Sequence, residues 1–249
     1  MRAHVRRQRV RKFLLLIAFL FFPLTVYYYS PVVVLAAAAA GVASGSLILF
    51  CAQFLCALWL GRAFCGWACP VGALCEWLVD IRDRSTGGRG DWLKWLIWVP
   101  WVSVLILLVT RAGGLEKVEP LYMMSHGIPL GEWSGVVAYL AVLGLVVALS
   151  LLAGRRAFCH YICWMAPGMI LATRAARAIR LPSLHLVGRA EACTACGRCD
   201  AICPMSLPVS AMVLDGDVRH DECVLCHLCV DNCPRSAIDI RCGVSGLKS

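Results

Sequence analysis

CTACGRCDAICP occupies residues 193–204, and CVLCHLCVDNCP repeats its cysteine spacing at residues 223–234. Each stretch has the spacing C-x2-C-x2-C-x3-C-P. In such a run three thiolates bind one iron–sulfur cubane, while the fourth cysteine reaches across to the other cubane. The spacing therefore predicts two [4Fe–4S] clusters. The predicted ligand sets are Cys193, Cys196, Cys199 and Cys233 for cluster 1, and Cys223, Cys226, Cys229 and Cys203 for cluster 2.

Residues 191–249 are too few to bury a large core, so bound clusters would have to hold this region together. The pattern predicts a small α+β domain like a two-cluster bacterial ferredoxin. Asp215-Gly216 is a hairpin signal between two short strands. Cys226-His227 also completes a C-x-x-C-H haem-attachment motif. We exclude haem there because Cys229 and Cys233 complete an iron–sulfur run that haem would leave unexplained.

Four apolar blocks precede this region. The chain is 60% hydrophobic and 16% charged, whereas soluble domains average about 45–50% apolar and about 25% charged. Each block approaches the roughly 20 residues that cross a bilayer. The blocks lie at 13–29, 44–60, 95–110 and 135–152, with a short helix or re-entrant piece before the second. We predict an α-helical membrane protein whose transmembrane domain, residues 1–167, has four spans.

The basic residues orient these spans. Residues 1–190 carry a net charge of +12 and residues 191–249 a net charge of −3. Lys and Arg concentrate before the first span, between the second and third, and after the fourth, as in cytoplasmic loops. Both termini are therefore expected on the cytoplasmic side of a prokaryotic inner membrane. This placement of charge excludes nucleic acid as a partner. In the reducing cytoplasm, metal ligation is favoured over disulfides for the cysteines.

Two similar motifs follow the second and fourth apolar blocks: GRAFCGWACP at 61–70 and GRRAFCHYIC at 154–163. Their C-x3-C pairs are Cys65 with Cys69, and Cys159 with Cys163. Residues four apart share a helix face, and both pairs fall at the same membrane edge, so the four thiols could converge. Such a set suits a third [4Fe–4S] cluster or another metal. The alternative is a redox dithiol, because nearby arginines would lower the thiol pKa.

Together these features resemble the NapH/NosR family of membrane polyferredoxins, to which the cytochrome-oxidase assembly factor CcoG is related. FCGWACPVGAL at 64–74 is similar to the membrane motif of that family. The second motif differs, since Cys163 is followed by Trp-Met-Ala-Pro167 rather than directly by proline. The size is nearest that of NapH. The resemblance implies a quinol dehydrogenase-like component that oxidises quinol or reduces quinone.

We therefore expect electron transfer between cytoplasmic ferredoxin clusters and the quinone pool or a membrane or periplasmic redox partner. The alternative is an accessory factor that matures or reduces the metals of a respiratory enzyme, as the resemblance to CcoG and NosR implies. Expected partners are membrane lipid, a redox protein docking on the acidic ferredoxin domain, and other subunits of a respiratory complex.

A quinone site needs polar groups at the membrane edge. The candidates are His160, Tyr161, Arg62 and Trp67. No histidine lies within a predicted span, which excludes a membrane haem b.

Arg174, Arg177 and Arg180 recur at helical spacing and predict an interfacial helix within the linker, residues 168–190.

Overall fold

The computed structural model describes residues 2–88, 90–124 and 133–244, and most of these are helical. The helices before residue 180 are α1 (Arg2–Leu20), α2 (Phe22–Thr25), α3 (Pro31–Ala39), α4 (Gly45–Leu60), α5 (Ala63–Trp67), α6 (Pro70–Val79), α7 (Leu93–Arg111), α8 (Trp133–Ala153), α9 (Ala157–Tyr161) and α10 (Ala166–Ala178). The later helices are α11 (Arg198–Ile202), α12 (Val209–Leu214) and α13 (Leu228–Asp231). The strands are β1 (Val42–Ser44), β2 (Lys117–Glu119), β3 (Pro182–Gly188) and β4 (Ile238–Val244).

Among the residues that the structure describes, two helices are long and apolar enough to cross a membrane, α7 and α8. They coincide with the third and fourth predicted spans. Leu96 and Ile106 of α7 and Leu140 of α8 are exposed, as expected for side chains that face lipid. The described residues thus contain two candidate spans, followed by a small region of helices and strands, which confirms the predicted fold class in part.

The first predicted span is bent. The helical segments Arg6–Leu20 and Phe22–Tyr29 are long and apolar enough to cross a membrane only when they are taken together. The helix axis bends by 60° between them. Pro23 in the first turn of α2 explains the break, because proline lacks the N–H that would continue the preceding helix.

The second predicted span is α4, whose 16 residues rise about 24 Å. A hydrocarbon core is about 30 Å thick, so α4 is short for a span by itself. The helix predicted before it is confirmed as α3, where the Ser30 hydroxyl accepts from the Val33 N–H at 3.3 Å and Pro31 occupies the first turn. The four-span topology and its orientation therefore stay predictions.

The predicted hairpin at Asp215-Gly216 is wrong. Residues 209–214 form α12, and Gly216 ends it with a positive φ of 77°. The N–H of Asp217 donates to the Met212 carbonyl and that of Gly216 to the Val213 carbonyl, both at 3.1 Å. This is the Schellman arrangement, in which glycine closes a helix. An Asp-Gly pair serves either structure, so local sequence alone did not separate them.

The sheet of this region joins β3 to β4 instead. They pair antiparallel over seven residues, from Pro182 with Val244 to Gly188 with Ile238. Strand β3 lies in the stretch predicted to be a linker, so that stretch holds α10 and then the first strand of the sheet. One apolar core joins the two regions, since Cys65, Cys159 and Met169 pack in the same cluster as Val224 and Leu225.

Gly66→Ala is expected to loosen the contact between α5 and the second cysteine run. A Cβ at residue 66 would lie 2.3 Å from the Val224 carbonyl oxygen, and overpacking costs about 1–3 kcal/mol. Thermal unfolding of the detergent-solubilised chain, followed by tryptophan fluorescence, should therefore show a lower midpoint. The control is Gly168→Ala in α10, where a Cβ meets nothing within 4 Å. Equal midpoints for the two variants would contradict this packing.

Candidate functional site

The two cysteine runs of the C-terminal region share one backbone conformation, displaced by 30 residues. Three pairs of equivalent positions have positive φ: Ala195 and Leu225, Gly197 and His227, Ser206 and Ser236. Residues other than glycine adopt this conformation at a cost of roughly 1–2 kcal/mol. Its recurrence at equivalent positions indicates that both runs require this loop shape around their thiols.

The eight thiols separate into two cavities, in the grouping that the spacing predicts. Cys193, Cys196, Cys199 and Cys233 line one cavity, and Cys203, Cys223, Cys226 and Cys229 line the other. In each case the last cysteine of one run joins the first three of the other run. A cluster bound in each cavity would therefore tie the two halves of the domain together.

The two cavities differ in exposure. Cys203, Cys226 and Cys229 are buried, whereas Cys196 of the other cavity is exposed. Burial raises the pKa of the Cys226 thiol to about 11 and that of the Cys223 thiol to about 12, so the free thiols would be protonated at neutral pH. Iron binds thiolates and offsets the cost of burying their charge. The donor sets therefore fit [4Fe–4S] clusters.

The two membrane-edge motifs also fold alike. Each forms a single helical turn, α5 or α9, with its first cysteine inside. The N–H groups of Cys69 and Cys163 donate to the carbonyls of Phe64 and Phe158, each at 3.0 Å. The second motif therefore keeps this geometry without a proline directly after Cys163. Its Pro167 lies in the first turn of α10 instead.

All four motif cysteines line a single cavity of about 380 Å³. Its walls are mainly apolar and include Tyr29, Phe158 and Trp164, and Arg62 also borders it. The Cys69 thiol caps α6, accepting from the Gly72 N–H at 3.4 Å. The positive end of a helix dipole favours an anionic ligand at that position. The two pairs thus converge, as four ligands of one centre would have to.

Burial outweighs the arginines: Arg62 and Arg156 act to lower the pKa of Cys65, and Arg62 that of Cys163, yet both pKa values are raised. Burial raises the pKa of Cys163 to about 12 and holds the pKa of Cys69 well above its usual value. Arg155 faces elsewhere and donates to the carbonyl oxygens of Ala201 at 2.7 Å and Cys203 at 3.2 Å. Such thiols lack the low pKa of a dithiol catalyst, so their surroundings favour metal ligation.

Of the four quinone candidates, Arg62 borders this cavity. The Trp67 indole donates instead to the Leu225 carbonyl at 2.9 Å, and its ring meets His227 edge-on. The Tyr161 hydroxyl donates to the Thr86 carbonyl at 3.5 Å. These residues, and His160 described below, pack the motifs against neighbouring loops.

A buried ion network that sequence reasoning missed joins the two regions. Glu222, which directly precedes Cys223, accepts from Arg62 at 2.7 Å and from Lys94 at 2.5 Å. All three side chains are buried, Lys94 completely. Burial raises the pKa of Glu222, but the charges of Arg62 and Lys94 outweigh it and hold the pKa below its usual value. The network fixes the second cysteine run beside the first membrane motif.

His160 lies beside this network, with Nδ1 2.5 Å from Asp91 Oδ1 and no exposed surface. Ligand atoms of Asp91, His160 and Glu222 lie within 4.8 Å of one another, a spacing that a metal ion could use. Both carboxylate oxygens of Glu222, however, already bind cations. The charge of this cluster is therefore balanced by side chains, and we assign it no metal.

Side chains of helix α1 also bind the C-terminal region. The Gln8 amide donates to the Cys226 carbonyl at 3.1 Å, and Arg7 Nε donates to Asp231 at 3.2 Å. Arg11 is buried and donates to Glu76 at 2.8 Å. Residues of the basic N-terminal segment therefore bind the loop around the cavity of the second cysteine run.

Two known domain families match the chain. A 4Fe-4S binding domain matches residues 42–88 and 135–167, and a 4Fe-4S dicluster domain matches residues 192–238. The first match contains both C-x3-C motifs, and the second contains all eight cysteines of the two runs. Both matches are to iron–sulfur domains, as the resemblance to membrane polyferredoxins implies. The predicted family resemblance is confirmed.

Three relatives illustrate the likeness to known polyferredoxins. YccM of Escherichia coli is 27% identical over 206 residues, which are 78% of this chain and 54% of YccM. The methylamine utilization ferredoxin-type protein MauN of Methylorubrum extorquens is 28% identical over 57% of this chain and 47% of MauN. The ferredoxin-type protein NapH of Escherichia coli is 25% identical over 72% of this chain and 61% of NapH. The chain thus spans about half the length of YccM and of MauN. No solved structure matches it significantly.

Cysteines outside the polyferredoxin motifs differ in their surroundings. Cys51 and Cys56 on α4 and Cys242 on β4 are exposed, whereas Cys75 is completely buried. The Ser150 hydroxyl lies 3.6 Å from the Cys75 sulfur. Cys75 packs between α6 and α8, as expected of a small apolar residue.

Glu222→Gln should destabilise the chain far more than Asp217→Asn. Removing one partner of a buried ion network costs about 3–5 kcal/mol, and here it leaves the cation of Lys94 uncompensated. The control removes an exposed ion pair, Asp217 with Arg219 at 2.6 Å, and such pairs contribute about 0–1 kcal/mol. Thermal midpoints of the two variants test this. Equal shifts would show that the network does not hold the two regions together.

Proposed function

We propose that the chain is a membrane-bound relay that passes electrons between its ferredoxin-like clusters and the quinone pool or a membrane partner. The observation that carries the proposal is the convergence of Cys65, Cys69, Cys159 and Cys163 on one cavity beside the second cysteine run. Two clusters are assigned to the C-terminal runs and a third to this cavity. Each cluster would supply one-electron redox chemistry.

The third cluster is supported by three features of the motif cavity. Its four thiols suit a cubane. Burial raises the pKa of Cys65, Cys69 and Cys163, and a hydrogen bond with Cys75 followed by burial raises the pKa of Cys159. Iron would therefore stabilise thiolates that the protein alone does not. The matching 4Fe-4S binding domain spans both motifs. Arg62 would place a positive charge beside the bound cluster.

The order of the centres follows from packing. Gly66 and Trp67 of the first motif contact Val224 and Leu225 of the cluster 2 loop directly. Electron transfer requires neighbouring centres, so cluster 2 is the one that exchanges electrons with the membrane centre. Cluster 1, with its exposed Cys196, is then the end of the relay that faces solution.

The quinone is assigned to the apolar part of the same cavity. Ligand sites are typically concave, mostly apolar and supplied with few polar groups. Val26, Val33, Ala138 and Val142 extend the wall toward the predicted membrane spans. A quinone head group entering from lipid would meet the membrane centre at the cavity end formed by the cysteines. Four spans, cytoplasmic termini and further respiratory subunits belong to this proposal.

Replacing Cys65 and Cys69 together by Ser should lower the iron content of the purified chain from about twelve to about eight atoms. The matched control is the double variant Cys51→Ser/Cys56→Ser. These two cysteines lie on α4 and are exposed. The control should keep all the iron. Equal iron content in the wild type and the Cys65/Cys69 variant would overturn the third cluster.

Quinol added to the same preparations tests the electron path. Wild-type clusters should become reduced by quinol or, when already reduced, become oxidised by quinone, and the Cys65/Cys69 variant should lose this exchange. Failure of the wild type to react with either form would contradict the quinone assignment. Reduction of bound copper by a chain unreactive to quinone would instead favour the accessory-factor alternative.

A further inference from the structure

The acidic side chains of the C-terminal domain are largely used inside the molecule. The domain was expected to attract a redox partner through its net charge of −3. Ion pairs instead join it to the rest of the chain: Asp221 with Arg174 and Arg177, Glu222 with Arg62 and Lys94, and Asp231 with Arg7. Two further carboxylates pair on the domain surface, Asp217 with Arg219 and Asp239 with Arg189. A partner therefore meets a different charge pattern from the one the composition suggests.

Two exposed arginines adjoin cluster 1. Arg235 lines the cluster 1 cavity, and Arg198 lies between its ligands Cys196 and Cys199 in the sequence. Within the described residues neither arginine forms an ion pair. Asp200, next to Cys199, is half-buried and accepts from the Ser210 N–H at 2.7 Å. It therefore offers a partner less exposed charge than the two arginines do.

Arg189 extends this surface. It donates to the carbonyl of Ser236, the residue after Arg235, and also pairs with Asp239 at 3.2 Å. Glu191 is exposed nearby in the chain. We call Arg189, Arg198 and Arg235 the basic rim. The two arginines of the basic rim that form no ion pair within the described part of the chain, Arg198 and Arg235, are those next to the cluster 1 cysteines.

The internal repeat shows that these arginines are not a general requirement of a cluster. The positions 30 residues from Arg198 and Arg235 in the other run are Leu228 and Met205. Both line the cluster 2 cavity, which is packed against the membrane domain. Arginine thus occurs at the exposed end and an apolar residue at the covered end. This difference points to a role in meeting a partner from solution.

We propose that the basic rim docks an acidic, soluble one-electron carrier protein, an inference that rests on the proposed function. Complementary charge steers such a partner and raises its association rate by about 10–10³-fold. Docking would bring the carrier to the exposed side of cluster 1. One electron would then leave the reduced carrier and enter the oxidised cluster, with no bond made or broken.

The experiment uses the full chain in detergent and a reduced, desalted plant-type ferredoxin as the acidic donor. Stopped-flow absorbance gives the second-order rate of cluster reduction. In the double variant Arg198→Glu/Arg235→Glu this rate should fall about tenfold or more at low ionic strength. Added salt should slow the wild type steeply and the variant little. Lys117→Glu reverses an exposed charge on β2, outside the basic rim, and should react like the wild type.

Dithionite separates docking from cluster function. Both the wild type and the double variant should be fully reduced by dithionite, which shows that the clusters are intact. An unchanged ferredoxin rate in the double variant, or a wild-type rate that rises with salt, would overturn the docking proposal. A lost ferredoxin rate together with a wild type that never reacts with quinone would support docking and reject the proposed function.

Discussion

The arrangement of the redox sites depends on one buried carboxylate. Glu222 forms ion pairs with Arg62 and Lys94. These residues connect two different sites. Arg62 borders the four-cysteine cavity, whereas Glu222 directly precedes Cys223 of the second cysteine run. Removing one partner from a buried network costs several kcal/mol, because the remaining charge has no water to solvate it. The distance between the four-cysteine cavity and the cavity of the second run is therefore fixed by charge as well as by packing.

Ion pairs also determine which side of the C-terminal domain faces the rest of the chain. Three acidic side chains, those of Asp221, Glu222 and Asp231, bind cations of the preceding chain, among them Arg7 and two arginines of α10. The cavity of the second cysteine run is covered there, whereas the other cavity keeps the exposed Cys196. The covered run carries Leu228 and Met205 where the exposed run carries arginine. The two similar cysteine runs thus differ in their surroundings, since one cavity contacts the rest of the chain and the other faces solution.

The sequence predicts the parts of the site that depend on local spacing. The grouping of eight cysteines, the helices α7 and α8, and the repeat of the two membrane motifs all follow from short patterns. Asp215-Gly216 was misread because glycine with positive φ closes a helix as readily as a hairpin. Glu222 and Lys94 are 128 residues apart, and no local pattern reports such a pairing. Lys94 alone is indistinguishable from a basic residue that orients a membrane span.

The central claim is that Cys65, Cys69, Cys159 and Cys163 hold a redox centre next to cluster 2. Electron paramagnetic resonance of the fully reduced chain tests it most directly, since neighbouring paramagnetic clusters interact magnetically. We predict a spectrum of interacting centres that becomes simpler when Cys65 and Cys69 are replaced by Ser. A spectrum left unchanged by that substitution would contradict the claim and leave only the two ferredoxin-like clusters.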